Sequence, residues 1–140
     1  MKQEQEEIKQ KKEYLKSYER VVRQMQRSEL RLQEVQLSGI CPATINDGMP
    51  HVHNNNDLSS YAVQLEQEKK KYLKCRYKRI KKCKEITDKI EQLESEDEKD
   101  VLMYRYIKLM KWVDIQQKMG VTERQMYRMH FQALKNFKMS

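Results

Sequence analysis

Residues 99–138 read KDVLMYRYIKLMKWVDIQQKMGVTERQMYRMHFQALKNFK and carry the clearest structural signal of the chain. Gly120 follows a short helical pattern of apolar residues and precedes Thr122. A glycine after a helix favours a turn through a positive φ angle, because a residue without Cβ adopts it at little cost. Thr122 stands three residues before Gln125, the spacing of a capping box that starts a second helix. A helix, a glycine turn and a capped second helix form the pattern of a helix-turn-helix motif. In such a motif the first helix lies across the DNA backbone and the second enters the major groove.

The composition of the 140 residues favours an all-α protein with long, solvent-exposed helices. Hydrophobic residues make up 38% and charged residues 36%, with a mean hydropathy of −1.03. The chain has only three glycines and two prolines, and no strand-like alternation of apolar residues occurs. No apolar run reaches the length of a membrane span, and no signal peptide opens the sequence. We therefore expect a cytoplasmic protein without a membrane partner.

The basic excess is concentrated at the C-terminal end. The net charge is +8. Residues 1–65 carry nine basic and nine acidic side chains, and residues 66–100 carry twelve and ten. Residues 101–140 carry eight basic and only two acidic side chains. Charge and motif coincide in this last segment, which predicts double-stranded DNA as the partner.

Two long helices are predicted before this segment, at 1–38 and 58–95, with a loop at 39–57 that holds both prolines. Apolar residues follow heptad-like spacing in each helix: Ile8, Leu15, Tyr18, Val22, Met25 and Leu32 in the first, and Ala62, Leu65, Tyr72, Cys83, Ile86, Ile90 and Leu93 in the second. Lys11 and Glu29 interrupt the first seam. The pattern predicts an antiparallel coiled-coil hairpin, although the same seams can also pair two chains into a homodimer.

A three-helix module is predicted at 96–140. Ser95 and Glu98 form a second capping-box pattern, so helices are expected at about 96–108, 111–119 and 122–137. Its expected core is Val101, Leu102, Ile107, Trp112, Ile115, Met119, Val121, Met126, Met129, Ala133, Leu134 and Phe137. The end of the second long helix, with Ile86, Ile90 and Leu93, is expected to lean on this core.

The exposed face of the last helix is the predicted DNA-contacting surface. The candidates for base contact are Thr122, Glu123, Arg124, Tyr127 and Arg128, and those for phosphate contact are Lys111, Lys135 and Lys138. Arginine presents paired donors to guanine, and glutamate accepts from the cytosine amino group. His130 is expected to pack or to face phosphate rather than to catalyse a reaction.

The C-terminal sequence resembles region 4 of bacterial sigma factors. The shared residues are Val101, Leu102, Arg105, Tyr106, Ile107, Trp112, Ile115, Met119, Gly120, Val121, Arg124, His130, Ala133 and Leu134. More narrowly, the chain resembles the small sigma-like regulators of phages and prophages of Gram-positive bacteria, of the RinA/ArpU type. Those proteins carry a segment similar to Asp47-Gly48-Met49-Pro50 and then one similar to Asp57-Leu58-Ser59.

This resemblance implies a DNA-binding transcriptional regulator, often of late phage genes, that can also contact RNA polymerase. Carried over by position, Thr122, Arg124, Gln125, Tyr127 and Arg128 fall on the DNA-facing part of the recognition helix. Gln116 departs from the family pattern, which has a small residue there. The promoter-melting region 2 of a complete sigma factor is not visible in the sequence. The alternative function is a coiled-coil adaptor that binds RNA polymerase or another protein without specific DNA binding.

A second basic segment, KKKYLKCRYKRIKKCK at 69–84, contains ten Lys or Arg residues and no acid. Three interpretations remain open. The segment can contact a second stretch of DNA backbone, or it can be simply solvated. It can also pair with acids of the first helix, which are Glu6, Glu7, Glu13 and Glu19.

No enzymatic or cofactor site is predicted. Cys41, His51 and His53 lie in one loop, but with Cys75 as a fourth ligand they match no zinc-site spacing. The three cysteines lack CxxC spacing, which is typical of reduced cytosolic thiols. Neither a phosphate-binding glycine loop nor an HExxH sequence occurs. We therefore expect no cofactor and no catalytic activity.

Overall fold

The computed structural model describes residues 2–44 and 55–140, and the side chains of residues 2–39 and 58–140. Its α-helices are α1 (Lys2–Thr44), α2 (Asn55–Ile90), α3 (Glu96–Leu102), α4 (Trp112–Met119) and α5 (Glu123–Asn136). All the elements in these described ranges are helical, which confirms the predicted all-α class. None of the described helices has a stretch that is both long enough and apolar enough to span a membrane.

The chain forms two compact units. The first comprises Met1–Val21 and Arg79–Ser140, and the second comprises Val22–Lys78. Each unit contains a portion of both long helices. The C-terminal helices α3, α4 and α5 belong entirely to the first unit.

The core of the first unit combines the C-terminal helices with parts of α1 and α2. Its buried apolar side chains are Ile8, Leu15, Tyr18, Ile86, Ile90, Leu93, Val101, Leu102, Tyr106, Ile115, Met126, Ala133, Leu134 and Phe137. Ile86, Ile90 and Leu93 are buried, in agreement with the prediction that they pack against the C-terminal module. The sequence pattern did not predict that side chains of α1 contribute to this core. A module of this length is near the lower size limit for a stable core, so apolar surface from α1 supplements it.

The two long helices pack antiparallel in the first unit. The Tyr14 hydroxyl of α1 donates to Glu85 of α2 at 2.6 Å and accepts from the Lys89 ammonium at 2.7 Å. One turn later, Arg79 of α2 donates to the Tyr18 hydroxyl at 3.4 Å. Residue numbers rise along α1 as they fall along α2, as the predicted hairpin requires.

Lys11, a polar residue that interrupts the heptad seam of α1, binds the C-terminal end of α5. Its ammonium group donates to the main-chain oxygen of Lys135 at 3.1 Å, in the last turn of α5. The final carbonyl groups of a helix lack partners within the helix, and a cation there interacts favourably with the helix dipole. The Tyr14 ring also lies 6.1 Å from the Phe137 ring, measured between centroids. The first turns of α1 therefore contact the C-terminus of α5.

The second unit has a more polar interior than the first. Val35 is buried, and so is Glu68 of α2, at 3% exposure. The Arg31 guanidinium of α1 donates to Oε1 of Glu68 at 3.1 Å, and Lys71 lies 3.6 Å from the same oxygen. The helices are again antiparallel here. None of the predicted seam residues of this unit is fully buried. Ala62 is exposed, and the half-buried ones are Val22, Met25, Leu32, Leu65 and Tyr72.

The predicted end of the first helix at residue 38 is wrong, because α1 continues to Thr44. The hydroxyl of Ser38 donates to the Val35 carbonyl at 2.8 Å, within the helix, instead of ending it. A glycine inside a helix weakens it by about 1 kcal/mol without breaking it. At Gly39, a Cβ atom would overlap the ring of Tyr61 on α2, so its absence permits close packing in the second unit. Part of the predicted loop at 39–57 lies outside the described residues.

The second long helix begins at Asn55 and ends at Ile90 rather than spanning 58–95. The main chain tightens after Ile90, where the amide of Leu93 donates to the Ile90 carbonyl at 3.0 Å. Ser95 then takes the extended conformation of an N-cap (φ −84°, ψ 125°) and accepts from the Glu98 amide. Because an N-cap residue is not helical, α2 has to end before it.

The helix predicted at 96–108 is present, but its second half has a different geometry. α3 passes into a π-helical turn at Met103–Ile107, in which the Lys108 amide donates to the Met103 carbonyl at 2.8 Å. Leu109 follows with φ 56°, a left-handed conformation that costs free energy for a residue with a Cβ. The wider turn rotates the chain before α4. No local sequence signal indicates it.

Candidate nucleic-acid interface

The turn between α4 and α5 has the predicted conformation. Gly120 has φ 66° and ψ 34°, in the left-handed region, and its amide donates to the Gln116 carbonyl at 3.0 Å. The Val121 amide reaches the same carbonyl at 3.4 Å. This arrangement satisfies carbonyl groups at the end of α4 while it reverses the chain. The glycine therefore sets the direction in which α5 leaves α4.

The capping box at the start of α5 is complete. The Thr122 hydroxyl accepts from the Gln125 amide at 3.2 Å, and the Gln125 side-chain oxygen accepts from the Thr122 amide at 3.1 Å. Glu123 lies in the first turn, where a negative charge is favoured. The capping box at Ser95 is only half formed, because the Glu98 carboxylate accepts instead from the Asn136 amide of α5, at 3.0 and 3.1 Å. Hydrogen bonds therefore fix both the N-terminus and the last turn of α5.

An aromatic cluster joins α4 to α5. The Trp112 ring lies 4.7 Å from the His130 ring and 5.3 Å from the Tyr127 ring, measured between centroids. The Arg105 guanidinium lies over the Trp112 ring, 4.5 Å from its centre. Such contacts hold helices in a defined orientation, since aromatic pairs prefer a narrow range of geometries.

His130 is a packing residue, one of the two roles predicted for it. Its Nε2 lies 2.7 Å from the Tyr106 hydroxyl, and both side chains are buried. Burial lowers the pKa of His130 to about 4, with smaller contributions from the charges of Lys12, Arg105 and Lys16. Burial also raises the pKa of Tyr106 to about 12. Both groups are therefore neutral at pH 7, and their hydrogen bond ties the π-helical turn to α5.

All the predicted DNA-contacting side chains are solvent-exposed. They are Lys111, Thr122, Glu123, Arg124, Gln125, Tyr127, Arg128, Lys135 and Lys138. Arg124 and Arg128 stand one turn apart on the face of α5 opposite its buried residues, Met126 and Ala133. Within the described part of the chain, neither arginine has a hydrogen bond or an ion pair. Their guanidinium groups are therefore available to an external acceptor.

Four of the predicted residues also make contacts within the protein. Thr122 and Gln125 use side-chain oxygens in the capping box, and the Tyr127 ring packs against Trp112. The Lys135 ammonium lies 3.3 Å from a carboxylate oxygen of Glu4 on α1. A phosphate group at Lys135 would have to compete with this carboxylate. These contacts leave Arg124 and Arg128 as the strongest base-contact candidates.

Phe131 belongs to the same exposed face and was not among the predicted site residues. It is 45% exposed and lies one turn beyond Tyr127, which is 43% exposed. The spacing of four residues from Tyr127 and seven from Arg124 was the available sequence signal. An exposed aromatic ring among arginines suits contact with a thymine methyl group.

The N-terminus of α4 is a further candidate contact for a phosphate group. Lys111 is its N-cap residue, has an extended conformation (φ −72°, ψ 151°), and makes no capping hydrogen bond with its side chain. Amide groups at a helix N-terminus favour anions. A lysine next to them suits contact with a phosphate, whereas the first-turn acid Asp114 opposes it.

The residues considered for zinc binding are only partly visible. His51, His53 and the side chain of Cys41 lie outside the described residues. Cys75 and Cys83 are free thiols. Across the described ranges, no three His, Cys, Asp or Glu side chains come together in a way that could hold a metal ion.

Comparison with known proteins identifies a family but no activity. The sequence profile of a family described as protein of unknown function (DUF1492) matches residues 53–138, which is more than half of the chain. This range includes α2 and all the C-terminal helices. No match is found among curated proteins or among solved structures. The chain belongs to the DUF1492 family of proteins.

Proposed function

We propose that this protein is a DNA-binding transcriptional regulator that inserts α5 into the major groove. The observation that carries the proposal is the pair Arg124 and Arg128, which are exposed on one face of α5 and have no partner among the described residues. Hydrogen bonds fix both ends of that helix. A forked guanidinium group held on a fixed helix suits the two acceptors of guanine. No catalytic activity is part of this proposal.

The surroundings of α5 support binding to a polyanion. Residues 101–140 carry eight basic and two acidic side chains. Lys111, Lys138 and the N-terminus of α4 supply candidate phosphate contacts, which set register and give affinity that falls with added salt. Phe131 adds an apolar group to the base-facing side. The protein would act in the cytoplasm, where bacterial or phage DNA is accessible.

The resemblance to sigma region 4 and to the RinA/ArpU type narrows the proposal further. It implies a phage- or prophage-encoded regulator, of late genes in particular, and a contact with RNA polymerase. Pairing of two chains through the long helices would present two copies of α5 to a palindromic site. A footprint with two half-sites about one helical turn apart would support such pairing.

The test is selection from randomised duplex DNA, followed by binding measurements on the selected and scrambled sequences. We expect Arg124→Ala to reduce the preference for the selected sequence by about 1–3 kcal/mol, because a bidentate base contact is lost. Lys138→Ala is the matched control, since it should weaken both sequences alike. An unchanged sequence preference in Arg124→Ala would refute the base-reading role.

A protein-interaction adaptor is the second candidate, and exposed apolar residues favour it. Leu73 and Tyr77 on α2 are 58% and 67% exposed. In this case the purified protein would bind RNA polymerase or another protein, and the selection would enrich no duplex sequence. The two functions are compatible, because the exposed residues of α2 and those of α5 belong to different helices.

A further inference from the structure

The outward face of α2 carries a stripe of exposed apolar side chains. Leu73, Tyr77 and Ile80 are 58%, 67% and 50% exposed, although each is large enough to be buried in a core. Their spacing of four and then three residues matches successive core positions of a heptad, so they stand in line on one helix. We call these three residues the outer stripe. It faces away from the buried Glu68 and Ile86 of the same helix.

The side chains beside the outer stripe are all basic. In the heptad set by Leu73 and Ile80, the four flanking positions next to the stripe are occupied by Lys69, Lys74, Arg76 and Lys81. All four are exposed. In the described ranges, none of them forms an ion pair or a side-chain hydrogen bond. The charges at these positions select the partner of a helical seam.

The structure argues against one of the three interpretations of the basic segment at 69–84, namely that its charges pair with acids of α1. Glu6, Glu7 and Glu13 of α1 are exposed and, among the described residues, form no ion pair with it. The ion pairs that the segment does make include Lys71 with Glu68 and Lys82 with Glu85, both within α2. Most of its positive charge is therefore not neutralised by α1. A partner that covers the outer stripe would therefore have to supply both negative charge and apolar surface.

We propose that the outer stripe is the docking site for an amphipathic helix of another protein, one with an apolar seam and acidic flanks. Such a helix covers Leu73, Tyr77 and Ile80 with its own apolar residues, and its carboxylates face Lys69, Lys74, Arg76 and Lys81. This inference does not rest on DNA binding by α5, because it uses none of the residues of that helix.

Two other occupants fit the surface less well. DNA backbone offers phosphates for the lysines but no apolar surface to cover Leu73 and Ile80. A second copy paired through the same stripe would bring lysines against lysines, whichever way it ran. The exposed leucines of α1 do not offer a continuous acidic flank, because Leu30 has charged neighbours of both signs and Leu37 has only Glu34 within four positions.

The test uses two labelled synthetic helices of four heptads, both with Leu at the seam positions. One has Glu at every flanking position, and the other has Lys. Binding to the full-length protein is measured by fluorescence anisotropy. We expect the Glu peptide to bind, with affinity that falls as salt is added, and the Lys peptide to bind at least tenfold more weakly.

Variants then locate the site. Leu73→Gln combined with Ile80→Gln should weaken binding of the Glu peptide at least tenfold, whereas Leu30→Gln, an exposed leucine on α1, should leave it unchanged. Lys74→Glu combined with Arg76→Glu should reduce the preference for the Glu peptide at least tenfold, because two of the four flanking charges change sign while Lys69 and Lys81 remain basic. All the changed residues are exposed, so melting curves followed by circular dichroism should stay close to that of the parent protein.

Three outcomes would overturn the proposal. The first is equal binding of both peptides, or of neither. The second is a loss of duplex DNA binding, without loss of peptide binding, in the Lys74→Glu and Arg76→Glu variant, which would assign the surface to nucleic acid. The third is a dimer in sedimentation that Leu73→Gln with Ile80→Gln dissociates, which would assign it to a second copy. Arg124→Ala separates this test from the DNA-reading proposal, because it should leave peptide binding unchanged.

Discussion

Nε2 of His130 lies 2.7 Å from the hydroxyl oxygen of Tyr106 in the interior of the C-terminal module. This hydrogen bond crosses from the π-helical turn to α5, and the Trp112 ring lies against the same imidazole. A neutral histidine is therefore part of the support of the helix that carries Arg124 and Arg128.

The C-terminal module should lose stability as the pH falls from about 6.5 to about 4. The pKa of His130 is lowered to about 4 in the folded protein from an ordinary value of 6.5, chiefly by burial. The neutral form is thus favoured by folding, so its contribution is complete above pH 6.5 and is lost as the pH falls through 4. The loss amounts to roughly 3 kcal/mol.

Urea unfolding at pH 7 and pH 4.5 measures this effect. Carboxylate groups of proteins also take up protons towards pH 4, so a control is needed. His130→Gln keeps a hydrogen-bonding side chain near Tyr106 but does not titrate. The difference in unfolding free energy between parent and variant should shrink on acidification. A difference that is independent of pH would show that His130 does not control acid stability.

Gly120→Ala should destabilise the protein by about 1 kcal/mol through backbone strain. A Cβ atom at this position meets no other atom within 4 Å, so steric overlap contributes nothing. The cost arises from φ 66°, which residues with a Cβ rarely adopt. Gly120→Asn is the matched control and should cost less, because asparagine tolerates left-handed conformations. Equal destabilisation by both substitutions, measured by thermal unfolding, would contradict this account.

Glu4→Gln should strengthen DNA binding by releasing Lys135. The two side chains form an ion pair of 3.3 Å in the first unit, and both are about half exposed. If Lys135 contacts a phosphate once it is free, the slope of log affinity against log salt should steepen by up to about 0.9. Glu7→Gln makes the same change of net charge at an exposed position of α1 that has no ion pair in the described residues. Identical slopes for the two variants would exclude a phosphate contact at Lys135.

Glu68→Leu should raise the stability of the second unit. The carboxylate is buried, and its Oε2 has no hydrogen-bond partner within the described part of the structure. Replacing a whole buried ion pair by apolar residues of similar size is often neutral or stabilising by about 1–4 kcal/mol, whereas removing one partner from a charge that stays buried is destabilising. Here the Arg31 side chain is 66% exposed, so water solvates it once the carboxylate is gone, whereas Arg31→Ala leaves the carboxylate buried with less compensation. We therefore expect a higher melting temperature for Glu68→Leu and a lower one for Arg31→Ala.

The control for this substitution is Glu66→Leu, which removes the same charge at an exposed position two residues away. Its effect should stay within about 0.5 kcal/mol. A fall in melting temperature for Glu68→Leu, with Glu66→Leu unchanged, would show that the buried carboxylate stabilises the pair of helices.

Local interactions account for the features that sequence reasoning predicted well. The left-handed Gly120, the Thr122–Gln125 capping box and the N-cap at Ser95 each involve residues three or four positions apart. Hydrogen bonds between residues so close in sequence depend on residue type and spacing. They can therefore be predicted from a short stretch of sequence without knowledge of the tertiary structure. The all-α class followed from the same signals together with helical periodicity.

Features that join distant parts of the chain were not predictable in this way. Nothing near Lys11 indicates that its ammonium binds the Lys135 carbonyl, and nothing near Glu98 indicates that its carboxylate turns from Ser95 to Asn136. Each choice depends on which group folding brings within about 3 Å, and that is a property of the packed helices. The same applies to the burial of Glu68 and to the hydrogen bond between Tyr106 and His130.

The sequence by itself therefore determines where the helices of this protein begin and where the chain turns, because those features depend on interactions between residues close in sequence. The division of its charged side chains between internal partners and open surface follows from packing. Arg124 and Lys135 both have exposed side chains on α5, yet within the described ranges only Lys135 of the two forms an ion pair. That difference exists because α1 folds back against the end of α5, and a side chain's partner is set by distance in space rather than distance along the chain.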